Sequence, residues 1–167
     1  MSHIFEEKNS NFMLNYKVVQ HSQTTQNLSS TTSWTTLSGS EISYTPAIGS
    51  DFVIYEYVFQ RSKWTSNTIN LKCKLRYSDD DGSSWSDYGN NTNAMFGSID
   101  NNVRSRNLTT IKLCLDSWGN TSKKLKIAGL VHSGNIRLHK LTQFYDSGGT
   151  TGDRYIKPYV ICYSVRN

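Results

Sequence analysis

Alanine and glutamate are scarce in this sequence, with three and four residues in 167. Both are strong helix formers, so a helical bundle or a coiled coil has little to be built from, and most doubly wound α/β enzymes go with them. No window comes near the run of about 18 apolar residues that a membrane helix needs, which predicts no membrane insertion. The start, MSHIFEEKNS, is acidic and has no continuous apolar stretch, unlike a secretory signal peptide. Cysteine occurs three times, in the apolar runs around Cys73, Cys114 and Cys162, with no CxxC pair and no histidine at ligand spacing. An odd count without a motif predicts buried free thiols and no metal site. Catalytic signatures are also missing. There is no P-loop, GxGxxG, GxSxG or HExxH, and few glutamates to set against another carboxylate. The expectation is a non-enzymatic chain with no cofactor.

Serine, threonine and asparagine, by contrast, supply 54 residues, and ten tyrosines lead the aromatics. Apolar and aromatic runs between Ser/Thr/Asn/Gly punctuation argue for strands joined by polar turns and against disorder. The strand-like runs are YKVVQH (16–21), a short run at Trp34, EISYT (41–45), DFVIYEYVFQR (51–61) and TINLKCKLRYS (68–78). They continue with WSDYG (85–89), TTIKLCLDSW (109–118), KLKIAGLVH (124–132), IRLHKLTQFYD (136–146) and RYIKPYVICYSV (154–165). About eight to ten strands in one domain of this length predict an all-β antiparallel sandwich or barrel. The folded part is expected over 16–167, with residues 1–15 as an arm.

Within 68–78 the alternation is clean. Leu71, Cys73 and Leu75 face one way, and Lys72, Lys74 and Arg76 the other. The net charge of +5 is dispersed in this manner, so the lysines read as a solvated face and no nucleic-acid partner is expected. Two strands behave differently. Phe52, Ile54 and Val58 oppose Val53, Tyr55, Tyr57 and Phe59, and Tyr159, Ile161, Tyr163 and Val165 oppose Val160 and Cys162. A strand apolar on both faces needs cover on both, from a loop or from a second copy of the chain. Glu56 interrupts the first of them, where it is expected to pair with a Lys or Arg, within the chain or across a subunit boundary, or to stand exposed at the strand centre, with a glycosidase acid as the other role open to it.

One stretch matches a named pattern. Ser78, Asp80, Gly82, Ser84 and Trp85 fit the Asp box, S-x-D-x-G-x-(S/T)-W, of sialidase propellers and other sugar-processing proteins. Physically it is a hairpin turn in which Asp80 accepts backbone N–H bonds, Gly82 takes a positive φ and Trp85 packs on the strands. A single copy in so short a chain excludes a propeller. A calcium site built from Asp79, Asp81 and Asp87 is a further option of the same cluster, although EF-hand spacing is not met. The segment from about 79 to 107 carries Trp85, Tyr88, Met95 and Phe96 among amides. Trp85, Tyr88, Asn90, Asn91 and Phe96 are therefore candidate ligand contacts, with anchoring of the loop as the other role open to Trp85 and Phe96. A second candidate loop is DSGGTTGDRY at 146–155.

The stretch YKVVQHSQTTQNLSSTTSWTTLSGSEISYTPAIGSDFVIYEYVF and the ending HKLTQFYDSGGTTGDRYIKPYVICYSV carry a further pattern. A first strand ends in Gln plus a polar residue, a Ser/Thr tract leads to Trp, a short strand reaches Thr-Pro, and a long apolar strand follows. Over residues 16–165 the chain resembles a domain of bacteriophage and large-virus structural proteins, a C1q/TNF-like jelly roll used as a fibre head. The resemblance implies a homotrimer with the first and last strands adjacent, chain ends on one side and loops on the other. With the two-faced strands, it assigns Tyr55, Tyr57, Phe59, Tyr159, Ile161 and Tyr163 to the trimer interface. It also implies a virion location, on a capsid surface or tail fibre. Residues 1–15 would contact other virion proteins, and the loops a host surface glycan or protein receptor. The competing expectation is a carbohydrate-binding, lectin-like β-sandwich module of a non-viral protein.

Overall fold

The computed structural model of the protein describes residues 12–22, 25–30, 32–63, 69–89, 94–99, 106–141, 154–155 and 157–166. Fourteen strands make up the described chain: β1 (Phe12–Gln20), β2 (Gln26–Ser29), β3 (Thr35–Thr36), β4 (Ile42–Tyr44), β5 (Phe52–Lys63), β6 (Ile69–Ser78) and β7 (Ser86–Asp87). They are followed by β8 (Ala94–Ile99), β9 (Arg106–Asp116), β10 (Lys123–Val131), β11 (Asn135–Leu138), β12 (Lys140–Leu141), β13 (Arg154–Tyr155) and β14 (Tyr159–Arg166). No helix occurs among the described residues, and every strand pairing is antiparallel.

Two sheets face each other. In the first, β1 pairs β14, β14 pairs β5 and β5 pairs β9, while β11 extends the far end of β5 and carries β2. In the second, β10 lies between β6 and the short β3 and β4, and β6 carries β7 and β8 on its other edge. The first, last, fifth and ninth strands thus share one sheet and the fourth, tenth, sixth and eighth the other. The fold is an all-β, antiparallel sandwich, as the strand pattern predicted, with the jelly-roll character that the resemblance implied. β1 starts at Phe12, so the sheet takes in part of the segment expected as an arm; residues 1–11 lie outside the described chain.

The core is the apolar layer between the sheets. Leu71, Cys73 and Leu75 point in from β6, opposite Val53, Tyr55, Tyr57 and Phe59 of β5, and all seven are buried. Tyr55, Tyr57 and Phe59 have no exposed surface at all, which corrects their assignment to a subunit interface. A partner copy cannot reach side chains already enclosed by their own chain. The two tyrosines are held at their polar ends as buried tyrosines must be. The Tyr55 hydroxyl donates to the Ser40 carbonyl and that of Tyr57 donates to the Ser38 carbonyl at 2.8 Å. They pin the 38–40 turn over the core, and burial raises both phenols well above their ordinary range.

Two breaks were not anticipated by the apolar pattern. The run 136–146 bends at His139, which adopts φ 63° and ends β11. Its N–H donates to the Gln60 carbonyl at 2.8 Å, and its buried ring sits by Nε2 at 2.9 Å from the Ser38 carbonyl and edge-on to Phe59. Desolvation lowers the imidazole to about 4, from an ordinary 6.5. The unfolded chain then takes up a proton near pH 6.5 that the folded ring refuses until about pH 4. Stability is present in full above pH 6.5 and is expected to fall as pH drops towards 4. Urea titrations across that window check this, and His139→Asn, which tolerates the left-handed backbone, flattens the slope. In the run 154–165, Pro158 has no N–H for a ladder and separates β13 from β14.

Candidate functional site

The ends of the sandwich place the candidate residues. Phe52 at the start of β5 pairs with Val165 near the end of β14 and with Asp116 at the end of β9. Ser78 at the end of β6 pairs with Lys124 at the start of β10. The β6–β7 turn and the β9–β10 loop therefore share the end on which the described chain starts and finishes. Tyr44 of β4 ties the sheets there, its hydroxyl 2.6 Å from Ser164 Oγ. For residues 79–89 this corrects the expectation of recognition loops opposite the chain ends.

The β6–β7 turn has the geometry expected of the Asp box. Asp80 accepts from the Ser78 hydroxyl (2.6 Å), the Ser84 N–H (2.9 Å) and the Ser84 hydroxyl (2.6 Å). Gly82 has φ 94°, and its N–H donates to Ser78 Oγ at 2.7 Å. Trp85 closes the turn, with its indole N–H donating to the Gly82 carbonyl at 3.0 Å. Hydrogen bonds from Ser78, then Ser84, hold the Asp80 carboxyl at about 2. All of these interactions stay inside the turn. The neighbouring carboxylates are taken as well: Asp79 pairs with Lys123, Asp81 with Lys124 at 3.0 Å, and Asp87 with Lys74 at 2.7 Å and Arg76 at 3.1 Å. The calcium option through Asp79, Asp81 and Asp87 gains no support from this arrangement, in which each carboxylate is paired with a cation of its own. No group of three or more metal-ligating side chains is placed to hold an ion among the described residues.

The outward face of the first sheet is different in kind. Across β1, β14, β5 and β9 its rows run Tyr16–Tyr163–Ile54–Cys114, then Val18–Ile161–Glu56–Lys112, then Gln20–Tyr159–Val58–Thr110. Tyr16 is 66% exposed and Val18 51%, while Tyr159, Ile161, Tyr163, Phe52 and Ile54 are half-buried. The expected interface residues Tyr159, Ile161 and Tyr163 are on this face. The β5 contribution comes from Phe52 and Ile54 in place of the odd-numbered set, because Val58, on the same parity, is buried within the chain. Glu56 finds the basic partner expected of it within the same chain, Lys112 Nζ at 3.7 Å. Cys114 is exposed here, a correction to the expectation of three buried thiols. Its strand neighbours Leu113 and Leu115 point the other way, so period-2 geometry turns it outward. Burial raises the other two, Cys73 and Cys162, to about 12.

A cleft of about 420 Å³ opens at the corner where β7 and β9 leave the two sheets. Tyr77, Tyr88 and Trp118 give it aromatic walls; Asp87, Asp116 and Lys123 give it charge. Tyr77 and Tyr88 meet edge to face at 5.9 Å. The Tyr88 hydroxyl donates to the Asp116 carbonyl at 3.4 Å, and burial, then the Asp116 charge, raise the phenol. Trp118 is fixed by donation from its indole N–H to the Thr121 carbonyl at 3.0 Å and by an edge contact with Tyr44.

No protein-family model and no curated protein matches this chain.

Of the predicted ligand contacts, Tyr88 lines the cleft. Trp85 lies outside it, with the Lys126 ammonium 3.5 Å from its ring centroid. Asn90, Asn91 and the Phe96 side chain lie outside the described residues, as does the 146–155 loop apart from the backbone of Arg154–Tyr155. Tyr77, Asp116 and Trp118 were missed as site residues. Tyr77 reads as the last core position of its strand, and the other two are some forty residues distant along the chain.

Proposed function

We propose that this chain is a non-enzymatic structural protein of a virion, a fibre or spike head or a capsid decoration protein. It works as a homotrimer in which the outward face of the β1–β14–β5–β9 sheet packs around the symmetry axis. The observation that carries assembly is that face, where Tyr16 and Val18 of β1, Tyr159, Ile161 and Tyr163 of β14 and Phe52 and Ile54 of β5 stay partly or largely exposed around the Glu56–Lys112 ion pair. Contiguous apolar surface of this type marks contact with another protein, and self-association is the commonest way to cover it. The threefold number and the virion setting rest on the resemblance of residues 16–165 to jelly-roll fibre heads. The strand order, with first and last strands adjacent in one sheet, supports it. So does the use of the turn carboxylates in ion pairs and hydrogen bonds, which leaves none of them as a general acid or base. Attachment to other virion proteins through residues 1–15, and to a host surface, belongs to the same reading.

Mass measurement in solution tests assembly. A species of three times the 19.0 kDa chain mass is expected, with the Cys114 thiol protected from maleimide. A stable monomer whose Cys114 labels rapidly would sink the proposal. It would favour the second reading, a carbohydrate-binding β-sandwich module of a non-viral protein, for which the aromatic corner cleft speaks.

A further inference from the structure

We infer that the corner cleft formed by Tyr77, Tyr88, Trp118, Asp116 and Lys123 is a binding site for a neutral saccharide. The proposal goes beyond the assembly reading and does not rest on it, because the cleft is built within one chain. Its volume of about 420 Å³ falls in the range of ligand sites, roughly 300–1,000 Å³.

Sugar rings present C–H faces that pack on aromatic π-faces and hydroxyls that need acceptors and donors. The cleft has both. Tyr88 and Trp118 are half-buried and packed against the core, so each presents a fixed edge or face at little entropic cost. The Trp118 indole N–H is already taken by Thr121, so a sugar would meet Trp118 through the part of its ring that lines the cleft. Asp116 is exposed, and among the described residues no cation pairs with its carboxylate. A carboxylate of that sort accepts from two adjacent hydroxyls at once. The Ser117 hydroxyl also lines the site, anchored to Ser50 Oγ at 2.8 Å.

The charges decide the class of sugar. Among the described residues that line the cleft the cation is Lys123, which is already paired with Asp79 and lies 4.8 Å from the Tyr77 ring centroid. Asp87 is neutralised by Lys74 and Arg76, leaving Asp116 as the uncompensated charge among the described residues of the cleft. An acidic sugar such as a sialic acid meets repulsion there. A quaternary ammonium, which an aromatic corner could otherwise hold, finds the Tyr77 face occupied by the protein's own ammonium. A neutral pyranose with adjacent hydroxyls escapes both penalties.

The test is an NMR titration of the full chain with methyl α-mannopyranoside, lactose and maltose, and with N-acetylneuraminic acid and choline as counter-probes. The expected result is a shift of the Trp118 indole N–H and the Tyr88 amide by a neutral sugar, with Kd about 1 mM. Asp116→Ala, an exposed change that leaves the fold intact, weakens it about tenfold or more. Trp85→Ala, outside the cleft, leaves it unchanged. Three results would each overturn the proposal: no shift with any neutral sugar, a response confined to the counter-probes, or affinity indifferent to Asp116→Ala. The assembly reading is judged separately by mass. A monomer that binds sugar sinks assembly alone, and a trimer that does not bind sinks the cleft alone.

Discussion

Ile54→Lys is expected to turn the assembled protein into a folded monomer. Ile54 is in the outward row between Tyr163 and Cys114, one pleat from Glu56 and Lys112. In a lone chain the new ammonium reaches water from a half-buried position by extending along the sheet. Enclosed by a neighbouring copy it would be an unpaired buried charge, which costs about 3–5 kcal/mol per site. At 1.4 kcal/mol per decade, two lost decades of affinity at each of several equivalent contacts dissolve the assembly at micromolar concentration. Sedimentation should show the lighter species, with a cooperative melt and rapid labelling of Cys114. An unchanged mass would mean that the apolar face is not the interface.

Tyr57→Ala is expected to remove about 3–5 kcal/mol, the usual loss for truncating a large buried aromatic. That is much of the 5–15 kcal/mol a domain holds in total. The ring is stacked on Phe59 with centroids 4.6 Å apart, and its hydroxyl pins the Ser38 carbonyl. Tyr57→Phe keeps the ring and loses one hydrogen bond, about 1 kcal/mol. Denaturant unfolding of the monomeric Ile54→Lys background separates the two roles once assigned to this residue. An interface tyrosine would leave monomer stability alone, whereas a core tyrosine lowers it by the full amount.

The difference in legibility between β5 and β6 has a physical cause. In β6 the lysines and arginine at 72, 74 and 76 alternate with apolar residues, so only one register buries oil and wets charge. In β5 both parities are apolar, and the pattern offers two solutions of nearly equal hydrophobic gain. The choice was made by the opposite sheet: Leu71, Cys73 and Leu75 on β6 pack against Tyr55, Tyr57 and Phe59. The hydroxyls of Tyr55 and Tyr57 find their carbonyl partners in the turn at 38–40. Likewise β2 and β8 were not anticipated, since Leu28 alone marks the first as apolar, and β8 lies in a segment read as loop. His139 hid a bend inside an apolar run because its left-handed backbone is stabilised by Gln60 and Ser38, both remote in sequence.

The amino-acid sequence by itself determined the all-β class, the β6 register and the closed Asp-box turn. Each depends on interactions within a few residues, where period-2 alternation, glycine's freedom at positive φ and short Ser–Asp hydrogen bonds leave one outcome. The tertiary structure decided which side of β5 is core, which cysteine is exposed and which aromatics share a cleft. Those depend on pairs such as Tyr57 with Ser38 and Tyr88 with Asp116, brought together by sheet packing across separations that no local pattern encodes.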